Sequence, residues 1–177
     1  GSFGNQNNSG GLDGFVTIFS DQGVLQSTNF IGTKYQDSIS GLEIGSGNTV
    51  YVAGSTNGNL NGANGASNNA TTFGSFISKS NLSGNALTSE WTKIIGNTVS
   101  TETYAFTKST DGESYFLVGA TNGALPSGAN ILAPYNGNTD AFITKFTKNG
   151  DLQWTKNINS HDGVGQVGGQ EVAYSVT

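Results

Sequence analysis

The sequence predicts an all-β chain built from a repeated four-strand unit, on three observations. No segment carries apolar residues at i, i+3, i+4 and i+7 over helical length. Short strand-like runs recur at regular spacing, with Gly, Asn and Asp between them. The runs also repeat. Asp13-Gly14-Phe15-Val16-Thr17-Ile18-Phe19, Gly74-Ser75-Phe76-Ile77-Ser78-Lys79 and Asp140-Ala141-Phe142-Ile143-Thr144-Lys145-Phe146 share one pattern, their phenylalanines 61 and 66 residues apart. Tyr51 to Leu60 matches Phe116 to Leu125 at an offset of 65, in the same phase.

Each repeat holds four runs. The first is the Phe-containing run. A turn follows it: Ser20-Asp21-Gln22-Gly23, Asn81-Leu82-Ser83-Gly84, and Lys148-Asn149-Gly150-Asp151. Residues of these types accept the positive φ of tight hairpins. The second run covers 24–31, 86–95 and 152–158. Trp91 and Trp154 take matching places in it, and Thr28 stands there in the first copy. The third covers 39–44, 104–108 and 172–176. A Gly-containing turn (Gly45-Ser46-Gly47-Asn48; Thr110-Asp111-Gly112-Glu113) leads to the fourth, 50–54 and 115–119. A polar loop of about twenty residues then returns to the next first run.

Four antiparallel strands per unit, repeated radially, is the β-propeller solution, which leaves only short protected edges. Residues 140–154, Asp-Ala-Phe-Ile-Thr-Lys-Phe-x-x-x-Gly-x-Leu-x-Trp, and 51–56, Tyr-Val-Ala-Gly-Ser-Thr, resemble the bacterial β-propeller repeat of large surface and secreted proteins. The middle copy departs from it, with Gly74-Ser75 in place of Asp-Ala. The resemblance implies that the hairpin of third and fourth runs lies innermost. On that phasing residues 1–13 are a cloning scar and polar lead-in. An outer hairpin (14–31), two blades (36–95 and 102–158) and one inner strand (171–176) follow. That is about three blades, fewer than the four to eight of a closed propeller. From the start at Gly1-Ser2 the chain is expected to be an excised piece of something longer. Both ends are expected to leave open sheet edges, which invite self-association or a partner chain that completes the propeller.

Composition excludes several functions. All seven basic residues are lysines, against twelve carboxylates and a formal net charge of −5. A duplex surface needs many more cations to displace counterions, so nucleic-acid binding is excluded. With no cysteine there is neither a disulfide framework nor a thiolate metal site. Apolar runs fall far short of the roughly 20 residues that span a bilayer. Aromatic residues make up 10% and sit in ordered runs, unlike a disordered tract. The Asn, Gly, Ser and Thr richness points to an extracellular or cell-surface location.

An acid stands just before each third run: Asp37, Glu102 and Glu171. Asp37 and Glu102 each lie ten residues before a turn glycine, Gly47 and Gly112, and so read as being in register. Two readings are open. The three carboxylates form a ring of oxygen ligands for Ca²⁺ at one mouth of the channel, or each caps its own blade by accepting backbone N–H bonds. The single histidine, His161, reads as a solvated loop residue. With no converging partners it makes neither a triad nor a zinc site. Gly10-Gly11-Leu12-Asp13 occurs once, whereas calcium nonapeptides work only when stacked. Asn-x-Ser/Thr triplets at Asn7, Asn69 and Asn81 are at chance level for this composition. Trp91 and Trp154 read as packing between blades rather than sugar platforms.

The long polar loops, 57–72 and 122–139, are the expected contact surface for carbohydrate or a surface protein. The expected function is a non-catalytic structural or adhesive module of a large extracellular bacterial protein. The alternative is a fragment of a propeller-type hydrolase or lyase acting on carbohydrate. That chemistry needs paired carboxylates at set separations, and acids recurring once per blade do not single out such a pair.

Overall fold

The computed structural model describes residues 10–60, 72–96, 98–127, 135, 138–158 and 169–177. Among these there is no α-helix. Ten strands form: β1 (Gly14–Phe19), β2 (Leu25–Ile31), β3 (Asp37–Ile44), β4 (Thr49–Thr56), β5 (Gly74–Ser83), β6 (Ala86–Ile95), β7 (Thr101–Lys108), β8 (Ser114–Thr121), β9 (Asp140–Thr147) and β10 (Leu152–Ile158). They make a β1–β2 hairpin and two four-stranded antiparallel sheets, each ordered by sequence, β3-β4-β5-β6 and β7-β8-β9-β10. The three layers do not close on themselves.

Alternation explains the stacking. Each strand sends successive side chains to opposite faces, and both faces of the middle sheet are apolar. Val50, Val52 and Phe76 point toward the hairpin and meet Val16 and Ile31. Tyr51, Ala53 and Ile77 point the other way and meet Phe106, Tyr115, Leu117, Phe142 and Phe146 of the last sheet. Tyr51 and Tyr115 stack across this junction with ring centroids 4.1 Å apart. The Thr-Asn-Gly turns after β4 and β8 are alike as well. The Thr56 and Thr121 hydroxyls accept the N–H groups of Gly58 and Gly123. Each turn delivers a buried leucine, Leu60 or Leu125, to one of the two cores.

The Phe-containing strand and the strand that follows it share a further contact in each layer. Hydroxyl pairs link Thr17 to Thr28 at 3.4 Å, Ser78 to Thr92 at 3.0 Å, and Thr144 to Thr155 at 3.0 Å. This pairing corrects one alignment. Thr28 is in register with Thr92 and Thr155, and Ser27 is the counterpart of Trp91 and Trp154. The β5–β6 hairpin also differs from expectation. Its strands run on through Ser83 and from Ala86, so the turn is Gly84-Asn85, with Gly84 at φ 59°.

The expected inner strand at 172–176 is not part of a ladder. Thr139 and Gln170 form an isolated parallel bridge. Beyond it, Glu171 N–H donates to the Thr139 carbonyl at 2.9 Å and Ala173 N–H to that of Gly119 at 3.4 Å. A strand needs a neighbour to bond, and among the described residues no ladder pairs this segment with the last sheet.

Candidate functional site

The acids were expected at the starts of the inner strands, and the layer junctions define where those starts lie. The Asp37 N–H donates to the Leu12 carbonyl at 2.6 Å, Thr101 to Phe73 at 2.8 Å, and Glu171 to Thr139 at 2.9 Å. Each acceptor stands three residues before a repeat phenylalanine. The equivalent positions are therefore Asp37, Thr101 and Glu171. Glu102 is one place further on, matching Ser38.

The cause is a single residue of turn length. Four residues, Gly45–Asn48, join β3 to β4, whereas five, Ser109–Glu113, join β7 to β8. Counting back from the turn glycines therefore slips by one, and a one-residue slip exchanges the two faces of a strand. Gly54 and Gly119 are the true markers. Ile39 pairs with Gly54 and Thr103 with Gly119, and a bulge follows each pair. At both glycines a Cβ would land on a backbone carbonyl oxygen, that of Ser38 or Glu102. Only glycine lets the two inner strands approach so closely.

The side chains follow this register. Asp37 is buried. One carboxylate oxygen accepts the Thr33 N–H at 2.6 Å and the Thr33 hydroxyl at 2.9 Å, and the other accepts the Thr56 hydroxyl. It caps its own loop. Thr101 does the same work without charge: its hydroxyl accepts the Ser75 N–H at 2.7 Å and donates to the Ile95 carbonyl at 3.3 Å. Glu171 is half-buried. Glu102 is exposed and accepts the Tyr104 hydroxyl at 2.6 Å. That bond, with partial burial, pushes the Tyr104 phenol up to about 12. Among the described residues no group of three or more His, Asp or Glu side chains is placed to hold a metal ion. Of the three acids read from the sequence, Asp37 and Glu171 hold equivalent positions and Glu102 stands one place further on.

Asp37 and Glu102 do share one feature. Both line a cleft of about 300 Å³ between β3 and β7, with Gln36, Ser38, Ser55, Phe73 and Tyr104. Its shape comes from the bulges. Ser40 and Tyr104 are the unpaired bulge residues of β3 and β7. Bulges re-aim side chains. Ser40 donates to the Thr103 carbonyl, whereas Tyr104 reaches the rim and meets the Tyr174 ring at 5.2 Å. Tyr174 follows Glu171 by three residues, as Tyr104 follows Thr101 and Ser40 follows Asp37. The two tyrosines were not singled out from the sequence. The signal for them becomes visible once the copies are aligned on Gly54 and Gly119.

The tryptophans are placed differently from each other. Trp91 packs against the core between the two sheets, edge-on to Tyr51 at 6.0 Å. Trp154 lies on the far face of the last sheet, 6.2 Å from Phe116. Asn81 lies within β5, its amide donating to Glu90 at 3.0 Å. His161, Asn7, Asn69 and most of the two long loops lie outside the described residues. No helix among the described residues is long and apolar enough to cross a membrane. No protein-family model matches this chain, and no curated protein matches it.

Proposed function

We propose that the chain is a run of β-propeller blades serving as a non-catalytic structural and adhesive module of a large extracellular bacterial protein. The carrying observation is the thrice-repeated junction bond of Asp37, Thr101 and Glu171 to the preceding layer. Layers added by one recurring contact suit a radial array. The carboxylates support the non-catalytic part of the reading, because several are engaged in ion pairs with lysines on the sheet surfaces. Glu43 pairs with Lys108 at 3.5 Å, Glu113 with Lys148 at 2.8 Å, and Glu90 with Lys79.

The adhesive part centres on the cleft. Exposed Tyr104 and Tyr174 rings beside Glu102, Gln36 and the serine hydroxyls suit a neutral sugar, which takes an aromatic plane together with polar partners. The test is affinity electrophoresis of the chain through gels loaded with neutral bacterial polysaccharides. Retardation by at least one polymer is expected, weakened several-fold by Tyr104→Ala and without polymer shortening. Release of new reducing ends would overturn the non-catalytic reading, and migration unchanged by every polymer would overturn the adhesive one.

A further inference from the structure

The two outer faces of the three-layer stack are register copies of faces that already pack together inside it. On the last sheet, Phe142 and Phe146 point toward the middle sheet and are 0% and 2% exposed. They share one core with Tyr51 and Trp91 of that sheet. The counterparts of Phe142 and Phe146 on the β1–β2 hairpin are Phe15 and Phe19, which are 59% and 58% exposed. Phe30, opposite Phe15 in the ladder, lies 6.2 Å from it on the same face. At the other end of the stack, Gly54 and Gly119 set Tyr51 level with Phe116, and the ladders set Lys79-Trp91 level with Lys145-Trp154. Phe116 and Trp154, both half-buried, thus stand on the far face of the last sheet in the places that Tyr51 and Trp91 fill inside the stack. Lys145 lies 5.8 Å over the Phe116 ring.

We propose that a second copy of this chain docks here, the Phe15/Phe19 face of one copy seating on the Phe116/Trp154 face of the next. The contact reproduces the Phe142/Phe146-on-Tyr51/Trp91 junction and continues the stack by one layer. It is a face-to-face contact, distinct from pairing at the free edge of β1. Because the two surfaces differ, the association is heterologous and does not stop at a dimer unless rotation closes a ring. The inference stands on the layer register and does not depend on sugar binding.

Sedimentation velocity of the 177-residue chain over a wide concentration range tests it. The weight-average mass is expected to rise beyond that of a dimer. The double variant Phe15→Ser/Phe19→Ser and the single variant Trp154→Lys are each expected to sediment as monomers. Mixed one to one, the two should form a heterodimer and nothing larger, since each keeps the face the other lacks. Circular dichroism checks that the variants fold, with Phe116→Ser as the substitute if Trp154→Lys does not. A native chain that stays monomeric, a mass that plateaus at dimer and ignores both variants, or a mixture that stays monomeric overturns the proposal.

Discussion

Phe15 and Phe142 occupy the same place in two copies of one repeat, on strands with the same neighbours in the hairpin, yet one is open to solvent and the other is fully buried. The hairpins are alike, although β9 also has β8 on its other side whereas β1 is paired with β2 alone. Each strand carries the same hydroxyl pair two residues on, Thr17 with Thr28 and Thr144 with Thr155. The layer in front differs as well. Phe142 faces Tyr51 and Ile77 of the middle sheet, whereas the hairpin is the first described layer and packs only on its other side. Burial of this residue is set by its neighbours, the strand beside it and the layer in front, and not by the local sequence pattern.

The widest separation between the two copies should appear on truncation. Phe142→Ala removes a fully buried ring from a close-packed junction and is expected to cost about 3–5 kcal/mol. Phe15→Ala should stay within about 0.5 kcal/mol when measured by denaturant unfolding at a dilution where the chain is monomeric. Equal losses at the two sites would break the comparison, since these neighbours would then not be the source of the difference.

A middle-sized effect separates Asp37, Thr101 and Glu102 and tests their register. Asp37→Ala leaves the Thr33 and Thr56 donors without their carboxylate and is expected to cost about 2 kcal/mol. Thr101→Val, at the equivalent place, should cost about 1 kcal/mol. Glu102→Gln, one place out of register and exposed, should change stability by less than about 0.5 kcal/mol. Thermal melts with Ca²⁺ and with chelator should coincide for all of them. An ion bound only by the folded chain raises its melting point by mass action, so a gap of several degrees abolished by Glu102→Gln would restore the carboxylate ring.

The smallest effects are electrostatic and belong to the sheet surfaces. Hydrogen bonds from Lys79 and Asn81 hold the Glu90 carboxyl below its ordinary value, and those from Ser109 and the Glu113 N–H do the same for Asp111. A carboxyl depressed in the folded chain stabilises it above the ordinary carboxyl range, and the gain is lost as pH falls through the depressed value. The melting point should therefore drop modestly on the acid side, and less so in Glu90→Gln. At the alkaline end the sign reverses. Tyr104, raised by its bond to Glu102, favours the folded chain below the ordinary phenol range, and that gain is lost as pH rises through about 12. Ultraviolet titration should show one late-ionising tyrosine fewer in Glu102→Gln.

All ten strands, their antiparallel hairpins and the absence of α-helix among the described residues were legible in the sequence, because they follow from alternation and turn chemistry, which act between near neighbours. The tryptophan packing at Trp91 was legible for the same reason, as it recurs in phase with the strands. Register across a turn was not. Whether four or five residues separate β-strand partners shows only once the ladder is paired, and that one residue moved Glu102 off the face that carries Asp37, Thr101 and Glu171. Tyr104 and Tyr174 became cleft residues through a bulge, which no local pattern announces. The 172–176 run has the alternation of a strand and stays outside the sheets, since alternation supplies a face to bury but not the neighbouring backbone that a ladder needs. Which phenylalanines are covered was decided last of all, by the strands beside them and the layers in front of them.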